Sequence, residues 1–263
     1  MVILFHERQG PDRAPFYAIH HLSEIWRADG LDVVYVLGAG EFVPADLAIV
    51  HVDLSVVPEE YLDLARRYPI AWNAELKDIR KSSFSTLRVT RDSDYSGPVI
   101  AKSNLNYAGV PERLLDGASD DAPFRASTDY RVYESLPEVP GELFDQPDVI
   151  VEKFLPEVED GRFHVRTVEF VGDRHTSLRA TADYHVVSDA TQLEAEPVDA
   201  PSELFELRRR LRLDYGKFDY VVHGSTVSVL DVNKTVGASV RMPSGELAAL
   251  RRHRADGIYG CLR

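Results

Sequence analysis

Asp231 and Asn233 stand two residues apart at the end of one apolar run, and Lys217 and Asp219 stand two apart at the start of the run before it. A strand aims alternate side chains at one face, so each pair shares a face. The runs join at His223-Gly-Ser-Thr226, which reads as a hairpin turn. With a three-residue loop, Gly224 to Thr226, Asp219 falls opposite Asp231 and Lys217 opposite Asn233. Facing carboxylates destabilise a sheet unless a cation lies between them. Oxygen ligands of this kind suit a hard ion such as magnesium, which keeps waters and is commonly shared with phosphates.

A second hairpin carries the complementary charge. Phe163 to Val171 and Arg174 to Val187 flank Gly172-Asp173, a two-residue turn of the hairpin type, which places Arg166 opposite Arg179. Facing arginines call for a bridging anion, and the guanidinium fork suits phosphate or carboxylate. One hairpin for a metal and one for an anion together describe a metal–polyphosphate site, where Arg166, Arg179 and Lys217 would balance charge on a transferring phosphoryl group. The chain has no Gly-x-x-x-x-Gly-Lys-Ser/Thr, no Gly-x-Gly-x-x-Gly and no Asp-Phe-Gly with His-Arg-Asp, so the common P-loop, dinucleotide and protein-kinase signatures are excluded. His164 reads as structural, and Tyr130, Tyr133 and Tyr220 as packing residues.

The elements that must position these groups form an α/β pattern, α+β in its later parts. Val2 to Phe5, Leu31 to Leu37, Leu47 to Val52 and Tyr68 to Trp72 are apolar runs, separated by helical patterns over Ala14 to Ala28 and Pro58 to Arg67. Strands alternating with helices predict βαβ units and a parallel sheet. A polar connection with Lys77, Arg80 and Lys81 leads to the strand Pro98 to Ser103 and the loop Asn104 to Gly109. Residues 115–147 lack periodicity and read as an irregular insert; Val149 to Leu155 is the next strand. Ser202 opens a helix ending in Arg208-Arg-Arg-Leu-Arg212, cations that complement its dipole.

Over 263 residues the net charge is −13, which argues against nucleic-acid and anionic-membrane partners. One cysteine, Cys261, excludes an internal disulfide framework. The first residues lack a basic leader, and no run reaches the ~20 apolar residues of a membrane span. The expected location is cytoplasmic.

In this order the motifs resemble the ATP-grasp superfamily, which includes D-alanine–D-alanine ligase, glutathione synthetase and the ribosomal-protein glutamate ligases. Pro98-Val-Ile-Ala-Lys102 resembles the strand whose lysine contacts the α- and β-phosphates. Val149-Ile-Val-Glu152-Lys153-Phe154-Leu155 resembles the hinge strand beside adenine. Gly161-Arg-Phe-His-Val-Arg166 resembles the Gly-x-x-x-x-Arg strand, and Lys217-x-Asp219 with Asp231-Val-Asn233-x-x-x-Gly237 the metal-binding end. Asp231 stands where the family has glutamate, and the lid loop Ser103 to Gly109 holds one glycine.

The resemblance implies a βαβ domain over 1–73, a central lid subdomain over 74–155 and a metal-bearing subdomain over 156–263. It implies ATP with magnesium, or manganese, as cofactors. Asp219, Asp231 and Asn233 would hold the metal. Lys102 would hold phosphate, with Lys81 taken over Arg80 as the second phosphate lysine. Glu152, Lys153, Phe154 and Leu155 would form the base site. A ribose-binding acid is implied among Glu157, Glu159 and Asp160, with Glu159 taken as the representative although the sequence does not choose. Arg241 would grip a substrate carboxylate.

The implied activity is ATP-dependent ligation of a small-molecule or peptide carboxylate to an amine through an acyl phosphate. A small-molecule kinase and a non-catalytic nucleotide-binding module are the alternatives. The resemblance also favours a homodimer.

Overall fold

The computed structural model describes residues 1–117, 123–187, 191–238 and 244–262. The first apolar run forms β1 (Val2–Phe5), every residue of it buried. It is followed by α1 (Ala18–Ala28), β2 (Val34–Leu37), β3 (Leu47–Val50), α2 (Glu59–Ala65) and β4 (Ile70–Trp72). The strands make a parallel sheet in the order β2-β1-β3-β4. Alternate residues of β1 enter two cores: Val2 and Leu4 pack with Tyr61 and Leu62 of α2, while Ile3 and Phe5 pack with Ile19, Leu22 and Trp26 of α1. Burial on both faces is why β1 and β3 read as unbroken apolar runs.

Two boundaries differ from expectation. The strand expected over Leu31 to Leu37 is confined to Val34–Leu37 at the sheet edge, where Leu37 is half exposed. The helix expected from Ala14 is split, because a 3-10 turn over Pro11–Phe16 contains Pro15 and Tyr17 is extended at φ −110°.

A second, antiparallel sheet, β6-β5-β7, follows α3 (Lys81–Phe84) and comprises β5 (Val99–Ser103), β6 (Arg131–Tyr133) and β7 (Val149–Lys153), with α4 (Gly141–Phe144) between the last two. The insert expected to be irregular therefore supplies an edge strand, too short for periodicity to register. The loop Asn104 to Gly109 ends in a 3-10 turn over Asn106–Gly109, strained at Tyr107 and Ala108, which take positive φ of 46° and 53°.

The third sheet runs β11-β10-β9-β12-β13, with β8 pairing the start of β9 on the side that β12 occupies further along. It contains β8 (Glu157–Glu159), β9 (Arg162–Val171), β10 (Arg174–Ala182), β11 (Glu194–Pro197), β12 (Tyr215–His223) and β13 (Thr226–Asn233), with α5 (Ser202–Leu211) before β12 and α6 (Ser244–Ala255) after β13. Arg166 lies opposite Arg179, Asp219 opposite Asp231, and Lys217 opposite Asn233. The turn of the β12–β13 hairpin is corrected: His223 pairs Thr226 across two residues, and a bulge at Leu230 restores the register. Gly216 is required where β12 crosses the end of β13, since a Cβ there would collide with the carbonyl oxygen of Asn233.

The chain then returns to its beginning. Ala255 and Ile258 complete the core on the α1 side of the parallel sheet, and Trp26 Nε1 donates to the Ala255 carbonyl at 2.9 Å. Arg254 of α6 reaches Glu169 of β9 at 2.8 Å. Among the described residues no helix is long and apolar enough to cross a membrane.

His51, just beyond β3, is fully buried among the rings of Phe5, Tyr17 and Tyr215. Burial, with a smaller contribution from Lys234, pushes its pKa down to about 3. The unfolded chain takes up this proton near pH 6.5, and the folded chain does not until near pH 3. Stability is therefore complete above pH 6.5 and is lost as pH falls, at about 1.4 kcal/mol per unit. His51→Leu is expected to flatten the slope of urea-measured stability between pH 6.5 and 4.5 by roughly 2–3 kcal/mol; equal slopes in the two proteins would refute this.

Candidate active site

The second and third sheets enclose a cavity of about 660 Å3, with one charged and one apolar end. At the charged end β12 contributes Lys217 and Asp219, whose alternation points both inward, and β13 contributes Asp231 and Asn233. Lys217 Nζ lies 3.0 and 2.9 Å from the two oxygens of Asp219, and Thr167 Oγ1 donates to Asp219 Oδ1 at 2.8 Å. Burial disfavours the Lys217 charge, but Asp219, Asp231 and Glu169 outweigh it and hold the ammonium above its usual pKa. Glu169, wholly buried, has its carboxyl pushed up by burial against the opposing pull of Arg254 and Lys217.

Two further lysines arrive from the other side. Lys102, next to last in β5, is 5% exposed; its Nζ lies 2.6 Å from Glu152 of β7 and donates to the Leu230 carbonyl at 3.2 Å. The bulge thus has a local use, because the extra residue leaves its carbonyl free of the ladder and available to Lys102. Lys81, 3% exposed, bonds the Leu105 carbonyl at 3.0 Å and sits 3.2 Å from Asp231. Arg80 instead pairs with Asp78 at 2.6 Å and does not line the cavity, so Lys81 is the cation that enters it.

The facing carboxylates are each compensated by a lysine, Asp219 by Lys217 and Asp231 by Lys81. Two carboxylates and an amide suit a hard divalent ion completed by water and phosphate oxygens. Among the described residues no three His, Cys, Asp or Glu side chains form a closed metal cage. The oxygen donors of Asp219 and Asp231 fit magnesium. Asn233 is a weaker match, since its Oδ1 already accepts from the Thr235 N–H at 2.7 Å. Thr235 is itself held from the parallel sheet, donating to Asp53 Oδ1 at 2.6 Å while Tyr17 donates to Oδ2 at 2.7 Å.

The placement of Arg166 and Arg179 corrects the expectation. β9 meets the cavity through Phe163, His164, Val165 and Thr167 and β10 through Ala180, and neither Arg166 nor Arg179 lines it. Their bridging anion is the protein's own Glu157, which takes Arg166 in a fork at 2.8 to 3.0 Å and lies 3.4 Å from Arg179. Burial would raise the Glu157 carboxyl, but Arg166 and the Val222 N–H outweigh it and hold it below the usual range. Glu159 is bonded to Arg179. None of Glu157, Glu159 and Asp160 lines the cavity, so the proposed ribose acid is not placed there. Arg241 lies outside the described residues.

The apolar end is built from the end of β7 and what faces it. Lys153, Phe154 and Leu155 line it, with the Lys153 ammonium turned over the Tyr95 ring at 5.1 Å. Ile100, Phe163 and Leu230 add apolar surface. Two residues were not anticipated from the sequence. Tyr130 belongs to the second sheet's core yet also lines the cavity, and burial together with Asp231 pushes its hydroxyl pKa up. His185 closes the apolar end, with its ring centroid 5.9 Å from that of Phe154. No local motif marks His185, which follows the end of β10 in an irregular stretch.

The chain matches no protein-family model and no curated protein sequence. Solved structures do match along its whole length. The RimK-domain ATP-grasp protein of Sphaerobacter thermophilus is 15% identical, with 99% of this chain and 100% of that chain covered and a TM-score of 0.53. The ATP-grasp ligase PsnB, complexed with a minimal precursor, Mg and ADP, is 12% identical, with 97% of each chain covered and a TM-score of 0.52. The macrocyclase MdnC of Microcystis aeruginosa, bound to the precursor peptide MdnA, is 12% identical, with 99% and 100% covered and a TM-score of 0.51. The chain has the ATP-grasp fold.

Proposed function

We propose that the protein is an ATP-dependent carboxylate–amine ligase. The observation that carries this reading is the convergence of Lys81, Lys102, Lys217, Asp219 and Asp231 on one end of a cavity whose other end is apolar. Such a cavity suits a nucleoside triphosphate: base against Phe154 and Leu155, phosphates among the lysines.

In this reading Lys81 and Lys102 hold the phosphate chain, each already oriented by a carboxylate and a backbone carbonyl. Magnesium, bound by Asp219 and Asp231, would neutralise phosphate charge. Lys217 lies beside Asp219, where charge on the transferring group develops. The acceptor carboxylate takes the γ-phosphoryl group to give an acyl phosphate and ADP; an amine then displaces phosphate to form the amide. The role once expected of Arg166 and Arg179 is reassigned: with Glu157 they brace β8 against β9 and β10 away from the cavity. Peptide substrates are the first class to test, since MdnC was captured with a precursor peptide and PsnB with a minimal precursor.

Incubation with ATP, magnesium, hydroxylamine and a panel of peptide and small-molecule acids is expected to yield a hydroxamate with stoichiometric ADP and phosphate. A stable phosphorylated product without free phosphate would replace the ligase with a kinase. ADP release with neither product across the panel would remove the ligase reading.

A further inference from the structure

We propose that Asp53, from the parallel sheet, is a positioning residue for the metal end of the cavity. By taking the one hydroxyl proton of Thr235, it leaves the amide oxygen of Asn233 able to accept a cation. The inference rests on the metal reading of that end and adds to it a residue from a different sheet.

Asp53 follows β3 and is buried, at 7% exposed. It receives two hydroxyl donors: Tyr17 reaches Oδ2 at 2.7 Å and Thr235 reaches Oδ1 at 2.6 Å. Thr235 Oγ1 also lies 3.1 Å from Asn233 Oδ1, so two acceptors stand within reach of a single proton. The contact with the carboxylate is the shorter, and a charged acceptor makes the stronger bond, so the proton goes to Asp53.

The orientation of the Asn233 amide is fixed independently. The Thr235 backbone N–H can only donate, so the atom 2.7 Å from it is Oδ1 and not the amide nitrogen. That bond uses one of the two lone pairs of Oδ1. Asn233 lines the cavity with Asp231, and the second lone pair is what its amide can offer a hard cation. A Thr235 proton turned toward Asn233 would occupy it.

The segment after β13 does not need Asp53 to stay in place. Lys234 Nζ donates to the Leu54 carbonyl. The Ala18 N–H donates to the Val236 carbonyl and the Ala238 N–H to the Phe16 carbonyl, both at 2.8 Å. None of these ties passes through the Asp53 side chain. What Asp53 alone supplies is the direction of one proton.

Asp53→Asn is the isosteric test. A side-chain amide in that place can accept from one hydroxyl and must donate to the other. Among the described residues the Tyr17 hydroxyl has no other acceptor, whereas Thr235 has Asn233. The introduced amide would therefore accept from Tyr17 and donate to Thr235, whose own proton then turns to Asn233.

The full chain is titrated with manganese(II) beside a non-hydrolysable ATP analogue, and the free ion is read by electron paramagnetic resonance. Asp53→Asn is expected to weaken manganese binding about tenfold, the lower end of what a group behind a metal ligand is worth. Adding Thr235→Val removes the misdirected proton, so the double variant should recover most of that loss. A merely structural brace predicts the reverse order, with the double variant the weaker binder; urea midpoints show that both are folded. Unchanged affinity in Asp53→Asn would overturn the inference, as would a double variant no tighter than the single one. A wild type that binds no manganese would remove the metal reading itself, and this inference with it.

Discussion

Asp231→Ala is expected to lower ATP turnover about a thousandfold, the scale of removing one charge-stabilising group from a transition state. Two consequences coincide in that substitution. Asp231 faces Asp219 across the hairpin, so its loss halves the carboxylate charge offered to a divalent ion. It also removes the anionic partner of Lys81, which is almost wholly buried and keeps only the Leu105 carbonyl. Leaving a buried charged group short of a partner costs about 1–3 kcal/mol of stability. Asp231→Asn separates the two effects: it keeps an oxygen for Lys81 but not the charge for a metal. Steady-state ADP release and urea midpoints on both variants decide the matter. An Asp231→Asn protein within tenfold of wild-type turnover would sink the metal role of this residue.

Glu152→Leu is expected to be the most destabilising single change at the site, by about 3–5 kcal/mol, because it strands a buried lysine. Glu152 is 1% exposed and lies 2.6 Å from Lys102 in the strand-to-strand packing of β5 and β7. Lys102→Met together with Glu152→Leu replaces the ion pair with apolar side chains of similar volume, and such replacements are often near neutral for stability. The double variant should therefore recover most of the loss while still failing to bind ATP. Urea titrations of the four proteins in the cycle, with ATP affinity alongside, separate the two roles. A double variant no more stable than Glu152→Leu would mean that the loss comes from packing and not from the stranded charge.

What could be read in advance was the pairing, because a period of two ties each side chain to its partner across a hairpin. Asp219 and Asp231 were matched even though the assumed loop was a residue too long, since the bulge at Leu230 supplied the missing residue on the other side. Arg166 and Arg179 were also matched, but alternation names two faces without saying which one a second sheet will cover. Their anion, Glu157, sits in a three-residue strand with no pattern to announce it. Tyr130 and His185 reach the cavity from segments whose course is set by tertiary packing. The acidic edge strand β11, Glu-Ala-Glu-Pro, is exposed throughout and offered no apolar signal at all.

The last helix and the turn after it supply one wall of the first sheet's core. A ribosome therefore delivers the opening strands more than two hundred residues before Ala255 and Ile258 arrive to cover Ile3, Phe5 and Trp26. Until then α1 covers that face only in part, and the contact that completes it is among the longest in sequence that the fold contains. Contacts of such separation form late and slowly. The second and third sheets can be paired before the first sheet is sealed, so this fold is completed at its first sheet.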